Sequence, residues 1–268
     1  MLDAWTVNGV RYSVATLFWL PFVLYRGLDP DLRGVWRDAI RPAFVNVVGQ
    51  VSFAWAPYYT DASVMGFVLR MSFVFTIVFS YWMLHEERLL LRRPLFWYGA
   101  AVIIAGVVAL HVGGWNHGGT SAVGLVLLLN TTICAGFYVV FVRKYMAPYP
   151  VRLSFGVTSL YSAIGLMLLM FMVGDWEDLS VLRLPDWGWL VLSAIMGIAV
   201  AHVLYFRAIH ALGPVVTSGA LSVVPVTTAI GALLVLGECM MALQWLGGAF
   251  AVAGSLLLVR AKMKAEAP

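Results

Sequence analysis

Arg70 occupies a position at which a polar side chain is costly. It lies near the middle of an apolar run at 62–84 that is long enough for a membrane-spanning helix, so its charge would lie near the centre of a bilayer. A guanidinium offers five N–H donors in a fixed fork that matches a carboxylate or a phosphate. The position predicts either an anion-binding group that faces a water-filled cavity, which we favour, or a structural arginine that donates to backbone carbonyls of a broken neighbouring helix.

Ser218, Ser222 and Pro225 share one face of the apolar run at 214–236, because they follow the i, i+4, i+7 spacing of a helix. Pro225 has no N–H to donate and should leave the carbonyl of Leu221 free, which makes it a candidate hinge. A free carbonyl beside two hydroxyls suits the binding of a polar solute. Serine and proline are also ordinary packing residues in membrane helices, so both interpretations stay open.

Three further runs carry polar residues on one side, which makes these residues candidates for the lining of a cavity. They are Asn130, Thr131 and Tyr138 in the run 121–142, His202 and Tyr205 in 187–206, and Asn46 and Gln50 in 43–59. Asn130 would be costly against lipid, so it faces protein or a cavity. His202 is either a protonatable group that couples export to a proton gradient or, as we prefer, a histidine satisfied by a neighbouring helix.

The sequence contains no pattern typical of an enzyme. The stretch from His85 to Leu89 lacks the second histidine of a zinc motif, and no glycine-rich phosphate loop opens a helix. The two cysteines, Cys134 and Cys239, have neither a metal-binding spacing nor a disulfide framework. We therefore predict no enzymatic activity, no metal and no cofactor.

The elements that must position these residues are membrane helices. The chain is 62% hydrophobic and only 11% charged, so it cannot fold around one soluble core and belongs in a lipid bilayer. The runs are continuous and about twice as long as the strands of a membrane barrel. The predicted fold is an all-α polytopic transmembrane bundle with spans at 6–25, 43–59, 62–84, 95–112, 121–142, 153–173, 187–206, 214–236 and 242–260.

The basic residues predict the orientation of the chain. Of the 17 Lys and Arg residues, all except Arg11, Arg70 and Arg183 lie in alternate loops or in the C-terminal tail. Short loops rich in Lys and Arg stay on the cytoplasmic side, so we predict an outside N-terminus and an inside C-terminus in the cell inner membrane. The net charge of +4 is explained by loops that face anionic lipid headgroups, and we exclude nucleic acid as a partner.

The sequence contains an internal repeat, which appears when it is aligned with itself at an offset of 152 positions. The matched pairs are Gly66 with Ser218, Arg70 with Ser222, Thr76 with Thr228 and Glu86 with Glu238, followed after four extra loop residues by Gly99 with Gly247 and Gly106 with Gly254. An odd number of spans separates the copies, so their orientations are opposite, as in secondary transporters. We predict a first half at 1–115 with four spans, whose opening helix is missing, and a second half at 116–268 with five.

Several stretches together resemble one known family. They are Tyr59 to Ser63 continuing through Thr76 to Glu86, Gly213 and Pro214 continuing through Pro225 to Glu238, Gln244 to Gly247 continuing to Gly254, and Arg11 within Val10-Arg11-Tyr12. They resemble EamA-type members of the drug/metabolite transporter superfamily. The resemblance implies two inverted five-helix halves around a central cavity, and export or exchange of small metabolites. The departures are the missing helix, Arg70 in a normally apolar stretch and Phe73 where the family often has proline.

The sequence thus predicts a secondary transporter that exports or exchanges a small polar metabolite by alternating access. Arg70 favours an anionic or zwitterionic substrate such as an amino acid. The small residues at Gly247, Ala251 and Ser255, and at Ala101, Ala105 and Ala109, predict helix packing and a possible homodimer. The alternative is a non-transporting assembly partner or a truncated remnant, which the missing helix makes plausible.

Overall fold

The computed structural model describes residues 2–60, 62–111, 121–224, 226–227, 230 and 241–266, and every regular element in these ranges is helical. The α-helices are α1 (Ala4–Arg26), α2 (Gly34–Asp38), α3 (Ile40–Trp55), α4 (Ala62–Arg70), α5 (Ser72–Met83), α6 (Glu87–Leu91), α7 (Pro94–His111), α8 (Ala122–Phe141), α9 (Val151–Val173), α10 (Leu184–Ala194), α11 (Ala201–Leu212), α12 (Pro214–Ala220) and α13 (Ala242–Glu266).

Short segments of other helical types interrupt or join these helices. Tight 3-10 turns occur at Pro30–Leu32, Ala56–Tyr58, Trp176–Val181 and Leu221–Val223. A π-helical segment at Val142–Met146 continues α8, and a second at Ile195–Val200 joins α10 to α11. Segments of π-helix are rare and frequently lie at functional sites, so the second one is considered below.

Five helical stretches of the described chain are both long and apolar enough to span a membrane. They are Ala4–Arg26, Ala122–Met146, Val151–Val173, Leu184–Leu212 and Trp245–Ala265, and shorter apolar stretches occur at Val68–Met83, Pro94–Ala109 and Pro214–Val223. The predicted all-α polytopic bundle is therefore confirmed. Most of the predicted run 214–236 beyond Val224 lies outside the described residues.

The start of α1 is fixed by Asp3. Its Oδ1 accepts hydrogen bonds from the backbone N–H groups of Trp5 (2.7 Å) and Thr6 (3.0 Å), which a helix leaves unsatisfied at its first turn. Its Oδ2 accepts from the N–H of Asp175 (2.9 Å) in the loop after α9. Partial burial would raise the pKa of Asp3, but the hydrogen bonds from Thr6, Asp175 and Trp5 outweigh it, and the pKa is lowered.

The chain divides into two compact units. Unit 1 comprises Met1–Trp55 and Phe137–Ala211, and unit 2 comprises Ala56–Gly136 and Leu212–Pro268. Each unit takes segments from both predicted halves, 1–115 and 116–268. Spatial grouping and the sequence repeat therefore divide the chain differently, and the two halves stay a prediction.

Unit 1 is built on the packing of α1 against α9. Tyr12 and Val23 of α1 and Phe155 and Leu166 of α9 lie in its buried core. Gly156 lets the two helices approach closely, because a Cβ atom there would collide with the side chain of Val23. This close packing brings the polar side chains of α1 and α9 together as well.

Unit 2 contains a close glycine packing of α7 against α13. A Cβ atom on Gly106 would lie 2.6 Å from the carbonyl oxygen of Gly247, and one on Gly254 would lie 2.8 Å from that of Gly99. The sequence repeat pairs Gly99 with Gly247 and Gly106 with Gly254. If each glycine is replaced by its repeat partner, the contact between Gly106 and Gly247 becomes the contact between Gly254 and Gly99. A two-fold axis would produce this exchange, and the inverted repeat stays a prediction.

The second predicted packing ridge does not take part in this contact. Ala101 and Ala105 of α7 are exposed, and the glycines on the other side of the helix face α13. The packing role predicted for this ridge therefore stays a prediction. Glycine allows the closest backbone approach, so the glycine face and not the alanine face makes the contact.

Candidate functional site

Four predicted site residues and two others form a polar cluster inside unit 1. We call it the unit 1 polar cluster, and its members are Tyr12 on α1, Asn46 on α3, Tyr138 on α8, Ser162 on α9, and His202 and Tyr205 on α11. The Nδ2 atom of Asn46 donates to Ser162 Oγ (3.0 Å) and to Tyr12 Oη (3.3 Å). The phenol of Tyr138 lies within electrostatic range of those of Tyr12 and Tyr205. Polar groups from five helices thus converge within membrane-spanning segments.

Helical spacing explains why α1 and α9 supply several of these groups. Tyr12 and Thr16 lie one turn apart on α1, and Ser159 and Ser162 lie one turn apart on α9. Thr16 Oγ1 and Ser159 Oγ are 2.7 Å apart, and both side chains are buried. The two helices therefore share a polar seam that continues from Thr16 to Asn46.

Gln50 extends the cluster by one turn along α3. Its Oε1 accepts a hydrogen bond from Nδ2 of Asn8 on α1 at 3.5 Å, which is a long contact. Asn8 lies one turn from Tyr12, as Gln50 does from Asn46. The predicted stripe of Asn46 and Gln50 therefore faces α1.

His202 is held between aromatic rings. Its imidazole stacks on Phe155 at 5.6 Å and meets the edge of Tyr205 at 6.4 Å between ring centroids. The Nδ1 atom is buried, and no hydrogen-bond partner for it occurs in the described part of the chain, although the Gly197 and Ile198 carbonyls are near the ring. The aromatic packing therefore fixes the ring beside these two carbonyls.

In unit 2, Arg70 lies at the end of α4, where Met71 interrupts the helical run. Its Nη1 donates to the carbonyl oxygen of Leu221 at 2.9 Å. Leu221 begins the 3-10 turn after α12, and this turn contains Ser222, the residue that the sequence repeat pairs with Arg70. The Leu221 carbonyl, predicted to be free because residue 225 is proline, is thus bound by Arg70.

Arg70 and Ser222 line one cavity of about 30 Å³, whose other walls are largely apolar. This volume holds about one water molecule and is too small for an amino acid. Arg70 is therefore closed to a metabolite in this conformation. Ser218 is also buried, and its hydroxyl accepts a hydrogen bond from Thr76 Oγ1 at 3.3 Å.

The remaining predicted residues give less information. Thr131 Oγ1 donates to the Leu127 carbonyl (2.9 Å), and Asn130 Oδ1 lies 3.9 Å from Cys134 Sγ, so both contacts lie within α8 and indicate no ligand. Pro225 lies outside the described residues. No group of His, Cys, Asp and Glu side chains that suits a metal ion occurs in the searched parts of the chain.

Sequence reasoning did not select Tyr12, Ser162 and Asn8 as site residues. Tyr12 and Ser162 lie in largely apolar runs among other small or polar residues, which is common in packed membrane helices. Only the pairing of α1 with α3 and α9 shows that they share hydrogen bonds with predicted residues.

A family model, curated relatives and a solved structure match this chain. A model of the EamA-like transporter family matches residues 1–111 and 122–260. The inner membrane transporter YedA of Escherichia coli K12, itself described as uncharacterized, is 26% identical over 245 residues, which cover 89% of this chain and 76% of YedA. The YedA of strain O157:H7 gives the same values. A protein chain of known crystal structure has a similar fold, with a TM-score of 0.78 and 15% identity over 99% of this chain and 90% of that chain.

Proposed function

Because this chain belongs to the EamA-like transporter family, we propose that it is a secondary carrier that exports or exchanges a small polar metabolite by alternating access. The observation that carries the proposal is the unit 1 polar cluster, in which hydroxyl, amide and imidazole groups from five helices converge inside membrane-spanning segments. Polar groups at this depth are costly unless they serve a pathway or one another. We place the carrier in the inner membrane, as the name of YedA suggests.

The cargo is an anionic or zwitterionic metabolite such as an amino acid. Tyr138, Tyr205 and His202 offer groups that both donate and accept hydrogen bonds, which suits a small solute with several polar atoms. In unit 2, we propose that Arg70, Ser218 and Ser222 contact cargo once their cavity opens. The forked guanidinium donors of Arg70 favour a carboxylate.

Transport can be tested with purified protein in liposomes. We expect uptake of at least one labelled amino acid or polar metabolite from a panel, and uptake slowed roughly tenfold by Tyr12→Phe, the loss expected for one hydrogen bond to cargo or to Asn46. Tyr25→Phe is the matched control, because Tyr25 is exposed at the end of α1. Liposomes without protein set the background. Uptake of no compound in the panel, or equal rates for both variants, would contradict the proposal.

The orientation is an outside N-terminus and a cytoplasmic C-terminus, as the distribution of Lys and Arg among the loops predicts. A reporter that is active only in the cytoplasm should therefore be active when fused after Lys264. A reporter that is active only in the periplasm should be inactive at the same place. The reverse result would overturn the orientation.

A further inference from the structure

Arg11 is a second arginine within a membrane-spanning helix, eight residues into α1. Its Nη2 donates to the carbonyl oxygen of Ser193 at 3.3 Å, at the end of α10 and directly before the π-helical segment Ile195–Val200. Gly197 in that segment leaves room for the guanidinium, since a Cβ atom there would lie 3.2 Å from Nη2. The guanidinium is thus held against the π-helical segment by one long hydrogen bond.

The rest of the guanidinium is poorly satisfied. The Nε atom of Arg11 is buried and has no hydrogen-bond partner among the residues that the structure describes. In the same part of the chain no carboxylate lies within ion-pair distance of it. A partly buried cation with one long hydrogen bond is costly in a membrane. The edge formed by Nε and Nη2 is the side of the fork on which an arginine binds both oxygens of a carboxylate.

His202 lies near this guanidinium. Its imidazole is close enough to Arg11 for an electrostatic interaction, and the carbonyls of Gly197 and Ile198 lie beside the ring. Trp19 binds the opposite end of the π-helical segment, with Nε1 donating to the Ala199 carbonyl at 2.9 Å. Two side chains of α1 thus fix the segment that carries Gly197 and leads into His202.

An open groove of about 660 Å³ leads towards Arg11 within unit 1. Val7 of α1 and Trp189, Leu190 and Ser193 of α10 contribute to its lining, together with the carboxylate of Asp186 at the first turn of α10. Val7 lies one helical turn from Arg11 on the same face, and Ser193 supplies the carbonyl that Arg11 binds. The groove is large enough for an amino acid, unlike the cavity beside Arg70.

We propose that the Nε and Nη2 edge of Arg11, with His202 beside it, binds the carboxylate of a small metabolite that enters through this groove. The bound carboxylate supplies the counter-charge that the described chain does not provide. The inference rests on the proposed carrier function for the identity of the ligand as cargo. Binding of a carboxylate at Arg11 is nevertheless measurable without transport.

The proposal predicts that Arg11→Met raises the stability of the protein without ligand, whereas most substitutions lower it. Removal of a structural arginine lowers stability, because its partners lose a bond. Removal of an arginine whose charge is satisfied only by ligand raises the stability of the empty protein. We expect purified Arg11→Met to unfold at a higher temperature than the unmodified protein in non-ionic detergent. Arg207→Met, at an exposed position on α11, should leave the unfolding temperature unchanged. A lower unfolding temperature for Arg11→Met would show that Arg11 is structural.

Ligand binding is tested with three carboxylates and their amides: acetate and acetamide, benzoate and benzamide, and L-phenylalanine and L-phenylalaninamide. A ligand that binds the folded state raises its unfolding temperature. We expect at least one carboxylate, but not its amide, to do so for the unmodified protein and for Arg207→Met. The response should be lost in Arg11→Met and be weaker by about tenfold in affinity in Arg11→Lys, which keeps the charge but loses the fork. No response to any carboxylate, or an equal response in Arg11→Met, would overturn the proposal.

The liposome assay separates this proposal from the carrier function. If the carboxylate response depends on Arg11 but the liposomes take up nothing, the binding site stands and the carrier proposal fails. If uptake is normal in Arg11→Met, the carrier proposal stands and the site at Arg11 fails.

Discussion

Replacement of Glu87 by alanine should lower the free energy of unfolding by about 3–5 kcal/mol, because it leaves a buried lysine without its carboxylate. Glu87 begins α6 and is fully buried. Its Oε1 lies 3.5 Å from Nζ of Lys262 on α13, whose side chain is only 10% exposed. Gly213 packs against the same carboxylate, and a Cβ atom there would collide with it. The ion pair therefore joins three segments of unit 2.

The effect is measured by thermal unfolding in detergent, with Glu86→Ala as the matched control. Glu86 is the exposed neighbour of Glu87, so its removal should change little. Glu87→Leu combined with Lys262→Met should regain most of the stability that Glu87→Ala loses, because neither charge then stays buried. If Glu87→Ala unfolds at the same temperature as Glu86→Ala, the pair does not hold these segments together.

The pair of Glu87 and Lys262 also shows what the sequence alone does not predict, namely which of two neighbouring glutamates is buried. The repeat pairs Glu86 with Glu238, yet the buried acid is the adjacent Glu87. Two neighbouring glutamates look alike in an apolar pattern, since the pattern does not show which one faces the protein. The partner that decides it, Lys262, is 175 residues away in the chain.

The helices themselves were predictable because lipid leaves a single continuous chain few alternatives. A break near Leu221 was also predictable, since proline removes a donor at a known spacing. The π-helical segment at Ile195–Val200 was not, because it follows from packing against α1, where Arg11 and Trp19 bind carbonyls at its two ends. Its sequence alone reads as a continuous apolar helix.

The candidate site likewise has a part that the sequence predicts and a part that only the fold shows. Residue type and helical spacing selected Asn46, His202 and Tyr205, because isolated polar groups in apolar runs need a partner or a pathway. Their partners needed the fold: Asn46 and Ser162 are 116 residues apart, and Asn46 and Tyr12 are 34 apart. Spacing within one helix carries no information about which other helix faces it.

Replacement of Arg70 by leucine should abolish transport while the protein still inserts into the membrane. The charge costs roughly 3 kcal/mol at the bilayer centre on insertion scales, and its hydrogen bond to the Leu221 carbonyl returns about 1.5–3 kcal/mol. Stability should therefore be unchanged or slightly higher. Transport should stop because the forked donors proposed to hold anionic cargo in unit 2 are gone.

Two further variants make this test specific. Arg70→Lys keeps a charge and a donor for Leu221 but loses the fork, so uptake should fall without being lost. Arg260→Leu removes an exposed arginine near the end of α13 and should leave uptake unchanged. Membrane yield and thermal unfolding in detergent confirm that each variant is folded. If Arg70→Leu is folded and transports at the normal rate, Arg70 serves only as a structural partner of the Leu221 carbonyl.

Comparison with Arg11→Met then separates the roles of the two arginines. The small cavity beside Arg70 is closed to a metabolite in this conformation, whereas the groove that leads to Arg11 is open. Arg70→Leu should therefore keep the carboxylate-dependent rise in unfolding temperature and lose uptake, while Arg11→Met should lose both. Loss of the carboxylate response in Arg70→Leu would mean that the anion binds at Arg70 before the cycle begins, and that the cavity beside Arg70 opens without cargo.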